Sequence, residues 1–381
     1  MRITIVQGAF LPVPALRGGA VEKLWFELGK QFSRQGHNVC HISRRFPGLP
    51  DKEVIEGVVH LRIRGHDTPS NTLKLKALDF LYSRKALKQL PPADILVTNT
   101  FWMPIIARNR QHEFGRLVVS VERMPKGQIR LYQQAACLRA NSVAVEQAII
   151  REAPKLKKRV QTIPNPLPYV PGGSAETVKE PVILYCGRMH PEKGIGLLID
   201  AFSEAYHRGL VGWNLQLVGP AEVEAGGGGL RWMENLLSQP RSRGIPVEWI
   251  GPIYDQEDLQ DKYQKAAIFV YPSLAENGET FGVAPLEAMA CGAVPVVSSL
   301  ACFRDFIKPG RNGEVFDHRS ANATSLLANH IIRLACDENQ RKMLSSAARE
   351  VNISHHPAQI AKLFVDCFEG LVDGPDKKHH D

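Results

Sequence analysis

Two carboxylates and two cations carry most of the chemistry that this 381-residue sequence offers. Glu279 and Glu287 stand eight positions apart in the run ETFGVAPLEAMACGAVPVV, residues 279–297, with Gly282 between them. An apolar, β-branched stretch at 267–271 precedes them and Pro272-Ser273 ends it, which places Glu279 in a loop at a strand's carboxyl end. Glu287 then falls about two turns along the next helix, where an i, i+8 offset returns to much the same face. Gly282 lets the backbone approach a ligand closely at the helix start, where N–H groups favour an anion. Amides that cradle phosphate, flanked by carboxylates that hold hydroxyls, suit a nucleotide-sugar. Upstream, Arg188 and Lys193 follow another apolar stretch that ends at Gly187. Open α/β sheets bind ligands beyond such strand ends.

The elements that must position these groups read as two series of parallel βαβ units. Strands are expected near 3–6, 39–43, 95–98 and 117–121, and again near 182–186, 214–218, 247–250, 267–271 and 294–297. A helix over 21–35 is closed by Gly36. The expected organisation is an α/β protein with a first domain over 1–165, a Pro/Gly/Ser-rich linker over 166–181 and a second domain over 182–356. A final helix over 357–371 and a disordered tail over 372–381 complete it. The run Ala225-Gly-Gly-Gly-Gly229 is expected to be a flexible surface loop, because a phosphate loop needs a strand directly before it and Lys-Ser/Thr after it. Residues 72–90 form a basic helix-length pattern with two readings: a surface helix packing its apolar stripe on its own sheet, or an amphipathic helix lying on an anionic membrane.

The segment 279–297 resembles the E-x7-E signature of retaining glycosyltransferases of family 4, which have the GT-B fold of two doubly wound, Rossmann-like domains facing a cleft. Other stretches agree in order. Gly187-Arg188-Met-His-Pro-Glu-Lys193-Gly194 looks like the family's diphosphate motif, and Leu217-Val-Gly-Pro220 and Trp249-Ile-Gly-Pro-Ile253 look like its strand-end glycines. Arg17-Gly18-Gly19, Gly36-His37-Asn-Val39 and Ile163-Pro164-Asn165 match its first loop, second strand and hinge. The resemblance also implies that the last helix, 357–371, packs back on the first domain. The resemblance implies that Arg188 and Lys193 stabilise charge on the leaving diphosphate. It gives Glu287 the ribose hydroxyls and Glu279 the donor sugar, with the N–H groups of Phe281, Gly282 and Val283 near sugar or phosphate. Gly18 and Gly19 would bring amides to the diphosphate from the first domain, and Ile253 would lie near the base. Glu279 also has a plainer reading, as a carboxylate favoured at a helix start; Glu276 competes with it, and the spacing favours Glu279.

Two departures touch the acceptor side. Where the family often has a histidine after Val-Val-Ser-Val121, this chain has Glu122-Arg123, and Glu122 is the candidate for acceptor orientation or proton handling. Where the family often has a serine, it has Val145-Glu146. No Asp-x-Asp occurs, so transfer without a metal or other cofactor is expected. The donor is expected to be a UDP-hexose, first UDP-glucose, and the acceptor a growing cell-envelope polysaccharide or lipid-linked glycan. An epimerase of the same fold and a non-catalytic sugar-binding protein are the alternatives. A nicotinamide oxidoreductase is disfavoured because Val6-Gln-Gly-Ala-Phe10 lacks G-x-G-x-x-G.

Composition sets the boundaries of this reading. A hydrophobic fraction of 44% and a charged fraction of 23% describe an ordinary globular chain. No apolar run approaches the ~18 residues that span a bilayer. Seven scattered cysteines with no C-x-x-C read as reduced thiols of a cytoplasmic protein. Residues 1–165 hold 27 Lys+Arg against 12 Asp+Glu, and the remainder 20 against 27. A basic first half suggests an anionic partner. With no nucleic-acid-binding signature present, the expected partner is an anionic membrane's inner face or a lipid-diphosphate acceptor.

Overall fold

The computed structural model describes residues 1–69, 71–171 and 178–374. They form two compact units: Met1–Tyr169 with the chain from His355 onward, and Val170–Ser354. The expected linker is partly structure: Leu167 and Tyr169 are buried, and the Leu167 N–H donates to the His355 carbonyl at 2.9 Å within the first unit. Residues 172–177, its middle, lie outside the described residues.

The first unit is built on an eight-stranded sheet. In chain order its strands are β1 (Arg2–Val6), β2 (Asn38–Arg44), β3 (Lys52–Ile55), β4 (Val58–Ile63), β5 (Ile95–Thr98), β6 (Arg116–Val121), β7 (Cys137–Ala140) and β8 (Val160–Thr162). They lie in the order β3-β4-β2-β1-β5-β6-β7-β8, and all pairs are parallel except β3–β4. That hairpin turns on Glu56 and Gly57, both with positive φ, which matches the handedness of a two-residue turn. Order reverses between β1 and β5, so the first loop and its helix, Ala20–Arg34, start beside that switch point.

The last helix, Pro357–Asp373, runs two residues into the stretch expected to be tail; residues 375–381 lie outside the described residues. Its apolar face packs on the helix Ala20–Arg34, with Phe364 edge-on to Trp25 at 5.3 Å and Phe368 5.8 Å from Phe32. The basic helix Thr72–Leu87 does not follow the amphipathic pattern expected of it. It buries Asp79, Tyr82, Ser83 and Ala86, while Leu73 is 79% exposed and Leu81 48%. Asp79 explains the inversion: it accepts from the Trp102 N–H at 3.3 Å, and burial pushes its carboxyl up to about 6.

The second unit holds six parallel strands: β9 (Glu180–Cys186), β10 (Asn214–Val218), β11 (Val247–Gly251), β12 (Ala266–Tyr271), β13 (Val294–Ser298) and β14 (Glu314–Phe316). Their order is β11-β10-β9-β12-β13-β14, a doubly wound sheet whose switch point lies between β9 and β12. Every residue of β12 is buried, as an unbroken apolar strand covered on both faces requires.

Candidate active site

The loops leaving β9 and β12 meet at that switch point. After β9, a short turn, Pro191–Lys193, is started by the His190 ring accepting from the Glu192 N–H at 3.3 Å. It is ended by Gly194 at φ +72°, where a Cβ would lie 2.1 Å from the Pro272 carbonyl oxygen. Only glycine lets the two loops approach this closely. The result is a Lys193 that is 7% exposed and ion-paired to Glu279, itself 8% exposed. The same Glu279 oxygen accepts from Tyr271 Oη at 3.0 Å and Ser273 Oγ at 3.2 Å. Tyr271 stacks on Tyr185 at 5.6 Å, and burial together with the Glu279 charge raises both phenols well above their ordinary value. They therefore stay protonated as donors.

Arg188 is more exposed. Its guanidinium donates to the Gly226 carbonyl at 2.7 Å and to Glu192 at 2.9 Å, and an exposed pair of this kind is weak enough to yield to a phosphate. The glycine run around Gly226 is not the loose loop expected. The Gly228 N–H donates to the Met189 carbonyl, that of Gly229 to the Ala221 carbonyl, both at 2.7 Å, and a Cβ on Gly227 would lie 2.3 Å from Ala221 backbone. Glycine serves here to pack backbone against the Arg188 loop.

Glu276, the rival of Glu279, is turned away and bound by His318 at 2.9 Å and Arg319 at 2.7 Å. Gly282 caps the helix Val283–Ala290 at φ +97°, and a Cβ there would lie 2.5 Å from the Phe303 ring. Phe281 stacks on Phe306 at 5.0 Å inside the core, so only its backbone can serve a ligand. Val283 opens the helix, whose first-turn N–H groups have no partner within it. Glu287 is buried one helix turn on and accepts from Tyr263 Oη at 3.3 Å. Ile253 is half-buried in the loop after β11. Lys193, Glu279, Tyr271 and Ser273 are thus in direct contact, whereas Arg188 is held by Gly226 and Glu192, and Glu287 by Tyr263. Tyr271 and Ser273 were missed in the sequence; their only signal is their place at the end of β12.

In the first unit, Gly18 and Gly19 both have positive φ and open the helix Ala20–Arg34. Glu122, at the end of β6, is committed to its surroundings. One oxygen accepts from Ser120 at 2.6 Å, from the fully buried Arg139 at 3.0 Å and from the Trp25 indole at 3.1 Å. Arg139 in turn donates to Asn165 and to the Ile163 carbonyl, both at 2.7 Å. A second carboxyl nearby escaped the sequence reading. Glu22, in the first helical turn and 9% exposed, folds back on Gly19 so closely that a Cβ there would meet its Oε2 at 2.4 Å. Burial pushes its carboxyl up to about 7, opposed by Arg123 and helped by Glu122. Among the described residues, no three His, Cys, Asp or Glu are grouped to hold a metal ion.

A cation, an acceptor-only carboxylate and a helix start thus meet at the switch point of a doubly wound domain, the place where such sheets bind ligands. Residues 172–351, most of the second unit, match the family model described as Glycosyl transferases group 1. O-antigen chain mannosyltransferase B of Escherichia coli is 31% identical over 43% of this chain, a match spanning 39% of that relative's length. Sucrose-phosphate synthase from Thermosynechococcus elongatus superposes with a TM-score of 0.76 at 22% identity, over 97% of this chain and 99% of that one. Anabaena HepE, in complex with UDP and glucose, gives 0.72 at 17% identity, over 97% and 100%. The fold is therefore of the GT-B type, with two Rossmann-like domains.

Proposed function

We propose that the protein is a glycosyltransferase that moves a hexose from a nucleoside-diphosphate donor to a glycan acceptor, with retention and without a metal. The observation that carries this reading is the Lys193–Glu279 pair at the β9/β12 switch point. The two side chains neutralise each other. A donor offers each a new partner: a β-phosphate oxygen for Lys193 and sugar hydroxyls for Glu279. Arg188 joins Lys193 as the sugar–phosphate bond breaks and charge grows on the leaving diphosphate. Glu287 takes the ribose hydroxyls, the amides from Phe281 to Val283 meet phosphate or sugar, and Ile253 lies near the base. The acceptor hydroxyl attacks from the face the diphosphate leaves, and a leaving-phosphate oxygen takes its proton.

UDP-glucose is the first donor, in keeping with the UDP and glucose of the HepE structure; the mannosyl relative makes a mannose donor its rival. The acceptor is a growing cell-envelope polysaccharide or a lipid-linked glycan, in keeping with the O-antigen relative. The exposed leucines and lysines of the helix Thr72–Leu87 suit peripheral contact with the anionic inner face of a membrane. The test is turnover in EDTA with each donor and a pool of lipid-linked glycans, following nucleoside diphosphate release and the anomeric proton of the product. Acceptor-dependent release with retained configuration is expected. Release of a free epimer without acceptor, or product only after Mg²⁺ is added, contradicts it.

A further inference from the structure

Two cysteines 230 positions apart, Cys137 on β7 and Cys367 on the helix Pro357–Asp373, bring their sulfurs within 3.9 Å of each other. Cys137 is 3% exposed in the core beneath that helix, and Cys367 is half-buried at its edge. A second contact runs beside the first. Arg139, two residues along β7 and so on the same face as Cys137, lays its guanidinium over the Phe364 ring at 5.3 Å. Phe364 is one turn before Cys367 on the same helix face. Both contacts thus set one register between strand and helix, and Arg139 carries that register on to Glu122.

We propose that Cys137 and Cys367 are an oxidative modification site, at which a hydroperoxide joins the two sulfurs and locks the last helix to the sheet of the first unit. The thiolate of Cys367, the more accessible of the two, attacks a peroxide oxygen. An S–O bond forms, the O–O bond breaks, and the departing hydroxide leaves as water with one proton. The Cys137 sulfur then attacks that of Cys367. The S–S bond forms as the S–O bond breaks, and the hydroxyl departs as a second water with the Cys137 proton. Two thiols lose two electrons and two protons to one peroxide. Contact with Cys137 lowers the Cys367 thiol below its ordinary value, while the same contact and burial raise Cys137, which sets this order of attack. Bond formation brings the sulfurs about 2 Å closer, from contact to the ~2.05 Å of a disulfide.

The test treats the full-length protein with one equivalent of hydrogen peroxide under native conditions. The expected results are a mass loss of about 2 Da as two thiol hydrogens leave, a peptide cross-link between Cys137 and Cys367 that dithiothreitol reverses, and a rise of roughly 5–10 °C in the melting of the first unit. Cys367→Ser, on the exposed edge, should abolish all three. Cys137→Ser should leave Cys367 to over-oxidise, with a gain of oxygen and no cross-link. A cross-link that maps to other cysteines overturns the proposal, as does Cys367 oxidising identically with and without Cys137.

Discussion

Lys193 and Glu279 are each other's counter-ion at the switch point, so removing one strands the other. Glu279→Gln should lower stability by about 3–5 kcal/mol, the scale for breaking a buried pair, read as a denaturant midpoint. Lys193→Met in the same chain should recover most of that loss, because no buried charge is left alone. Glu22 gives a prediction of the opposite sign. Its folded value of about 7 lies above the unfolded carboxyl value, so the folded state holds a proton the unfolded state has lost. Its burial thus costs nothing at pH 4, begins to cost as pH passes the unfolded value, and costs most above pH 7, about 3 kcal/mol at full ionisation. Glu22→Gln should stabilise the first unit at pH 8 and make little difference at pH 4.5; equal effects at both would refute the assignment. The motif made Lys193 and Glu279 legible in the sequence. Glu22 was not, because nothing in its neighbours Val21 and Lys23 signals a carboxyl folded onto Gly19.

At the level of elements, the loops do what the strands cannot. Gly194→Ala places a methyl against the Pro272 carbonyl at a backbone angle that L residues rarely adopt. It should cost several-fold in nucleotide affinity with β9 and β12 still formed, checked by titration beside circular dichroism. The cross-strand pair His41 and His60, on β2 and β4, stacks at 5.3 Å with both rings fully buried. Burial is the main cause that lowers both, His60 to about 4, with Arg62 adding to it and Glu53 opposing it at His60. The neutral forms cost nothing above the unfolded value near 6.5. As pH falls from there toward 4, the unfolded state alone gains protons, and stability should drop by about 3 kcal/mol for His60. His60→Gln should flatten that slope. Long apolar strands such as β12 were legible from their β-branched runs. The β3–β4 hairpin was not, because its turn is Glu56-Gly57 and its strands are short and mixed. The helix Thr72–Leu87 was legible in extent but not in orientation, since Asp79 turns inward to a partner, the Trp102 N–H, that only folding supplies.

The whole molecule joins a basic first half to an acidic second half. If the first unit meets an anionic bilayer through the helix Thr72–Leu87, vesicles rich in anionic lipid should bind the protein and release it as salt rises. Each of Lys74→Glu, Lys76→Glu and Arg84→Glu should weaken binding by about 1 kcal/mol or more; binding unchanged by all three would remove that surface from the account. The division into two doubly wound units was visible in the alternation of strands and helices. The chain returns to the first unit at His355, where the backbone bond to Leu167 is joined by Phe364 against Trp25 and Phe368 against Phe32. The central claim is that a nucleotide-sugar binds at the Lys193–Glu279 pair, and calorimetric titration in EDTA with UDP, GDP, ADP and their glucose conjugates tests it most directly. Saturable binding of one nucleotide class is expected, weakened by about 1–3 kcal/mol in Lys193→Ala, the scale of a charged hydrogen bond. No binding of any nucleotide, with or without Mg²⁺, or binding that Lys193→Ala leaves unchanged, would contradict it.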